Sequence, residues 1–291
     1  MRFEDIDFLI IGAGKSATTW LQTQLQADPS VYMPDPELHY FSRRFDKGDA
    51  WYLAQFAQGA RGRLVGDKSN SYLYTPRSAE RIHRVLPHVK LIAQLRNPVK
   101  RAYSHYCMLF RRGDVGPDIA RHLHPARGGE QRLVRAGDYA GHLQEYIDLF
   151  GRDKLLILFF EGVRADPEQQ MTLVREHLSL PPRPLATHAG KKVKDRSAPA
   201  VPASIGRRLA WMKPLVQPLR GNAVFELARG SIARHTPYPP LTDDIRARLE
   251  DYYHPSIQAL ELMSGQSLDH WYGAGTLAPV TSGEQRQSLT G

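Results

Sequence analysis

Cysteine is almost missing from this chain. The single thiol, Cys107, excludes an internal disulfide and a cysteine-only metal cluster, and no Cys/His spacing elsewhere suits a metal. Long hydrophobic runs are missing too: no stretch approaches the roughly 20 apolar residues that cross a bilayer. The N-terminus carries Glu4, Asp5 and Asp7 where a secretory leader needs basic and then apolar residues, so a cytoplasmic protein is expected. Acidic residues are in deficit, 30 against 39 lysines and arginines, leaving a formal charge of +9. A basic chain raises nucleic-acid binding, but no recognition motif accompanies the charge, and anionic small ligands account for the sign equally well. What is present, 291 residues of which 42% are hydrophobic, suffices for one α/β domain with extensions.

One segment stands out against these absences, Phe8-Leu-Ile-Ile-Gly12-Ala-Gly14-Lys15-Ser16-Ala17-Thr18-Thr19-Trp20-Leu21. Four apolar residues predict a buried strand, Gly12 and Gly14 a tight turn, and Ser16 onward the opening of a helix. Such a junction binds anions: glycines allow close backbone approach, a helix N-terminus offers N–H groups, and Lys15 with three hydroxyls adds charge and donors. A Walker loop does not fit, because its first glycine would fall on Leu9 inside the strand. The dinucleotide fingerprint fits as Gly12, Gly14 and Ala17, with Glu37 twenty residues further on as the ribose-binding acid. In that fold Glu37 ends a second parallel strand, yet Pro34 and Pro36 each remove a ladder donor just before it.

The third way to use the loop is to touch a 5′-phosphosulfate. Gly12 to Leu21 resembles the corresponding loop of the sulfotransferases that use 3′-phosphoadenosine 5′-phosphosulfate (PAPS), with Ala17 in place of a glycine. Further blocks carry the resemblance in the family's order. Leu95-Arg96-Asn97-Pro98, followed by Arg101 and Ser104, is similar to its 3′-phosphate block, and Pro98 suits the first position of a helix. Glu37-Leu38-His39-Tyr40-Phe41 resembles the Glu-x-His-Phe-Phe segment of heparan-sulfate-type and related carbohydrate sulfotransferases, which usually continue with aspartate where this chain has Ser42. Gly66-Asp67-Lys68-Ser69-Asn70-Ser71-Tyr72-Leu73-Tyr74 resembles an element that brings a lysine into the site after a strand, and the likeness extends over about residues 6 to 180, plus a short end around Tyr252 to Trp271.

This resemblance implies a three-layer α/β sandwich with a mostly parallel central sheet, and transfer of a sulfuryl group from PAPS to a hydroxyl, leaving adenosine 3′,5′-bisphosphate. It implies Glu37 as base, with His39 as the rival for that role. Lys15 would neutralise the leaving phosphate, and Lys68 would hold sulfuryl oxygens or orient the acceptor. Gly12, Gly14, Lys15, Ser16, Ala17, Thr18 and Thr19 would cradle the 5′-phosphate, and Arg96 and Ser104 would bind the 3′-phosphate, where a planar guanidinium and a hydroxyl suit the charge. A late basic loop containing Lys191 and Lys192 would close over the nucleotide. The acceptor would be a glycan or glycolipid, with no metal needed and no nucleic acid as partner. A dinucleotide-dependent oxidoreductase and a non-catalytic nucleotide-binding protein are the alternatives.

Residues 1–272 are expected to form one domain, with 181–240 a basic, proline-rich insertion and 273–291 a polar, disordered tail. From Lys191 to Arg220, eight basic residues and Trp211 stand beside one acid, Asp195, a composition suited to peripheral membrane contact. Arg111 to Arg135, rich in Gly, His and Arg, is expected to be a mobile loop on the acceptor side. Thr242 to Leu262 predicts a final helix begun by Thr242-Asp243-Asp244.

Overall fold

The computed structural model describes residues 1–57, 59, 62–126, 131–186 and 237–272. Lys191, Lys192, the rest of the basic segment and the tail from 273 onward lie outside the described residues.

Five segments become five parallel strands, β1 (Phe8–Gly12), β2 (Val31–Tyr32), β3 (Leu64–Lys68), β4 (Lys90–Leu95) and β5 (Leu155–Phe159), in the spatial order β2-β3-β1-β4-β5. β1 and β5 read as continuous hydrophobic runs because both faces of a parallel sheet are covered. β1 shows the consequence: all five of its residues are buried. Phe8 and Ile10 pack on one face with Leu21 and Leu25 of α1 (Thr18–Gln26) and Met171 and Val174 of α10 (Pro167–Leu178). Leu9 and Ile11 pack on the other face, over a larger core. That core is supplied by α4 (Ser78–Val85), α5 (Pro98–Arg112), α8 (Tyr139–Phe150) and α11 (Asp243–Ser264). Each such side chain removed from water contributes about 1.5–3 kcal/mol before entropy is charged.

The chain punctuates its helices with recognisable chemistry. Asn97 caps α5 by accepting from Lys100 N at 3.0 Å, Pro98 opens it, and Gly113 closes it in the left-handed region. Asp166 caps α10 in the same manner. The final helix runs two residues beyond Leu262 and contains Pro255; Thr242 precedes it but makes no side-chain cap.

One expectation is corrected here. Arg111 to Arg135 is not one loop: α5 extends to Arg112, and the stretch also holds α6 (Ile119–Leu123) and α7 (Gln131–Arg135). Ile119, Leu123, Leu133 and Val134 are buried in the main core, so apolar positions outweighed the loop-like composition around them. As Pro34 and Pro36 before it led one to expect, Glu37 does not end a second central strand. β2 is two residues long, lies at the sheet edge and pairs with β3, while β3 occupies the place beside β1. The dinucleotide-fold arrangement is therefore not the one adopted. Among the described residues no helix is long and apolar enough to cross a membrane.

Candidate active site

The site collects at the carboxyl ends of β1, β3 and β4, the place where open parallel sheets bind ligands. β1 and β3 run side by side with Ile10 opposite Lys68, so the loop after β1 and the turn after β3 emerge together. Gly12 makes the contact possible. A Cβ there would lie 3.0 Å from Leu73 Cβ and 3.1 Å from the Asn70 carbonyl oxygen, and its φ of 155° disfavours other residues. Gly14 has no comparable constraint, since a Cβ would meet only Asn70 Cβ at 3.7 Å. The left-handed residues of the loop are instead Lys15, at φ 76°, and Ala17, at φ 64°.

β4 braces this loop. Gln94 accepts from Ala13 N at 2.8 Å through its backbone carbonyl and donates from Nε2 to the Ser16 carbonyl at 2.6 Å. Arg96 donates to the Lys15 carbonyl at 3.1 Å and stacks over Phe160, the first residue of α9 (Phe160–Ala165), at 4.7 Å. Ser16 is fully buried and its Oγ has no hydrogen-bond partner, while α1 begins without a side-chain cap. A buried hydroxyl without a partner beside a helix start without a side-chain cap is an arrangement able to receive an anion. The Thr18 hydroxyl donates to Asn70 Oδ1 at 2.7 Å. Ser104 lies half-buried on α5, in its second turn.

Beside the cradle stands a carboxylate loaded with donors. Glu37 Oε1 accepts from Lys68 Nζ at 2.8 Å and from Asn70 Nδ2 at 3.0 Å; Oε2 accepts from Asn70 N at 3.1 Å. Lys68 is not a solvent-facing lysine beyond a strand, as many are; it is the last residue of β3 and 3% exposed. Burial pushes the Glu37 carboxyl up, but the Lys68 charge and the Lys68 and Asn70 hydrogen bonds hold it below the ordinary carboxylate range. Glu37 is therefore ionised at neutral pH. Its neighbour His39 has Nε2 3.6 Å from Glu37 Oε2 and Nδ1 2.7 Å from Ser71 Oγ. Burial, aided by the Arg43, Arg44 and Lys68 charges, keeps that ring below its usual pKa despite Glu37, and so neutral.

Asn70 joins the two halves, touching Glu37 and the Thr18 hydroxyl at once. Sequence reasoning quoted the block containing it without assigning it a role. Gln94, Ser71 and Phe160 were likewise missed, because their contacts lie across strands and carry no local pattern. Among the described residues no group of three or more His, Cys, Asp or Glu side chains is placed to hold a metal ion.

Comparison with known proteins finds sulfotransferases. Residues 49–184 match the model of the sulfotransferase family, a span that includes Lys68, Arg96 and Ser104. The chain is 28% identical over 262 residues to mouse (Mus musculus) heparan sulfate glucosamine 3-O-sulfotransferase 6, covering 89% of this chain and 71% of that protein. To human (Homo sapiens) heparan sulfate glucosamine 3-O-sulfotransferase 3B1 it is 30% identical over 177 residues, 59% of this chain and 45% of that one. Among solved structures, a sulfotransferase from Alicyclobacillus acidocaldarius superposes with a TM-score of 0.67 at 23% identity, covering 91% of this chain and 98% of that one.

Proposed function

We propose that this chain is a sulfotransferase that moves a sulfuryl group from PAPS to a hydroxyl of a glycan or glycolipid. The observation that carries this reading is the ionised Glu37, held by Lys68 and tied through Asn70 to the loop that ends in the buried, unpartnered Ser16 hydroxyl. One end of that constellation suits a phosphate, and the other suits a hydroxyl about to lose its proton. The curated relatives' names, which specify a glucosamine 3-hydroxyl, support a sugar acceptor.

PAPS supplies an activated sulfuryl group on a phosphate leaving group. Ser16 Oγ, the first N–H groups of α1 and Lys15 would hold the 5′-phosphate side, Lys15 offsetting charge on the bridging oxygen as its bond to sulfur breaks. Arg96, fixed by Phe160 and the Lys15 carbonyl, would hold the 3′-phosphate together with Ser104. Lys68 has two tasks: it keeps Glu37 ionised and brings positive charge to the transferred group. Glu37 or His39 would receive the acceptor proton. Positioning and charge stabilisation supply most of the rate in this type of transfer, as in phosphoryl transfer. A carboxylate with a depressed pKa is adequate, because the hydroxyl becomes acidic only as its bond to sulfur forms.

Calorimetric titration with adenosine 3′,5′-bisphosphate, beside 5′-AMP and NAD, tests the donor class. Bisphosphate binding should weaken at least tenfold on loss of the 3′-phosphate and in Arg96→Ala, consistent with about 1.5–3 kcal/mol for a charged hydrogen bond. No preference for the 3′-phosphate would overturn the proposal. Glu37→Gln should retain bisphosphate binding and lose transfer by about a hundredfold or more; unchanged turnover would remove Glu37 from the chemistry.

A further inference from the structure

We propose that Thr18 and Asn70 are positioning residues forming a strut between the phosphate-binding loop and the base: the Thr18 hydroxyl holds the Asn70 amide, and the amide holds the Glu37 carboxylate. The inference rests on the sulfotransfer reading for its catalytic meaning. It goes beyond that reading by giving the Thr18 hydroxyl to the base in place of the 5′-phosphate. The direction of each bond in the strut is set by a group that cannot donate. Glu37 is ionised beside Lys68, and a carboxylate only accepts. The Asn70 side-chain atom 3.0 Å from Glu37 Oε1 is therefore Nδ2, which puts Oδ1 at the other end of the amide. An amide oxygen also only accepts, so Thr18, 2.7 Å away, gives its single hydroxyl proton to Asn70.

The strut has little slack. On either side of Asn70 the turn after β3 is bound to β1, Ser69 N donating to the Ile10 carbonyl at 3.1 Å and Leu73 N to the Ile11 carbonyl at 2.9 Å. The Asn70 backbone N–H takes the second carboxylate oxygen, Glu37 Oε2, at 3.1 Å, so one residue grips both oxygens. At the other end Thr18 is buried and is the first residue of α1. Ser16 supplies the contrast. Its hydroxyl is also buried but has no partner, so it can serve a phosphate oxygen, whereas the Thr18 proton is already committed. Moving that proton to a phosphate would leave the half-buried Asn70 short of a donor, a loss that Ser16 does not incur. Lys68 brings charge to Glu37, and the strut brings position. It ties the carboxylate to the helix whose N-terminus faces the leaving phosphate, in a reaction where a misplacement of about 1 Å costs about a hundredfold in rate.

The first test needs neither donor nor acceptor. The chain holds three asparagines, Asn70, Asn97 and Asn222, so protein carrying 15N-labelled asparagine gives three side-chain amides. The Asn70 pair is identified by its loss in Asn70→Ala. Thr18→Val should move this pair and speed its exchange with water by about fivefold or more; Thr18→Ser, which keeps the hydroxyl, should restore both. Thermal melts establish that each variant is folded. An unmoved Asn70 pair in folded Thr18→Val would overturn the inference. In calorimetric titration Thr18→Val should bind adenosine 3′,5′-bisphosphate with an affinity within about threefold of wild type. A greater weakening would give the hydroxyl to the phosphate and overturn the strut. With an acceptor in hand, Asn70→Ala should lower kcat about tenfold with KM little changed, and adding Thr18→Val to it should lower kcat no further. Effects that multiply would mean that Thr18 does not act through Asn70. Failure of bisphosphate binding in wild type would strike the sulfotransfer reading and leave the amide result standing.

Discussion

At the scale of single residues, Ala17 shows the loop's geometry most directly. It occupies a left-handed position, φ 64°, that glycine fills without strain. Relief of about 1–2 kcal/mol in the folded state competes with about 0.4–1 kcal/mol of added freedom in the unfolded chain. Ala17→Gly should therefore raise stability by up to about 1 kcal/mol in urea melts without loss of bisphosphate affinity; a clear destabilisation would contradict this. Lys68→Met should move the acid limb of the pH–rate profile upward, because Lys68 is the main group lowering the Glu37 carboxyl. Beneath the site, burial raises Asp67 to about 6 although Tyr72 and Ser69 donate to it. The unfolded chain loses this proton near 3.8, so between the two values the folded state binds more protons and stability falls as pH rises. The fall across that window amounts to about 3 kcal/mol, and Asp67→Asn should flatten it in melts taken across the same range.

At the scale of elements, α5 is held at its start by one side chain with two tasks. Asn97 Oδ1 caps the helix through Lys100 N, and Nδ2 donates to the Trp271 carbonyl at 2.9 Å, binding the segment after α11 to the end of β4. The resemblance includes Asn97 in a block without a role of its own; the contacts make it a cap and a clasp. Asn97→Ala should cost about 2–4 kcal/mol, combining a lost cap with a buried carbonyl left unpaired. Urea unfolding reads this directly, and a loss below about 1 kcal/mol would mean that water replaces the clasp.

At the scale of the whole molecule, one buried ion pair joins the connection after α1 to α10 across the smaller core. Asp28 accepts from Arg175 at 2.8 Å and from Arg183 at 3.4 Å, and Ser30 donates to it twice. Burial raises this carboxyl, but the Ser30 and Arg175 bonds outweigh it and hold the pKa at about 2. A depressed carboxylate contributes its stability above the unfolded value of 3.8 and loses it as pH falls toward 2. The contribution at neutral pH is about 2 kcal/mol. Asp28→Asn should lose at least that much near neutrality, since Arg175 is left buried and short of a counter-charge. The difference from wild type should shrink through the same acid window, a sign opposite to that of Asp67.

The sequence alone determined the elements whose signals are local. The largely apolar runs at Phe8–Gly12, Lys90–Leu95 and Leu155–Phe159 read as buried strands, and Asn97-Pro98 and Asp166-Pro167 as helix starts. Local chemistry marked Lys15 and Ser16, and the family resemblance marked Glu37, Lys68 and Arg96. Tertiary structure decided everything that depends on partners distant in the chain. It set β3 beside β1, which brought Lys68 against Glu37 across 31 positions and Asn70 against Thr18 across 52. It also converted Arg111–Arg135 from a loop-like composition into helices packed on the core. A side chain's type limits what chemistry it can do; its protonation state and aim come from charges and hydrogen bonds that only the folded chain assembles.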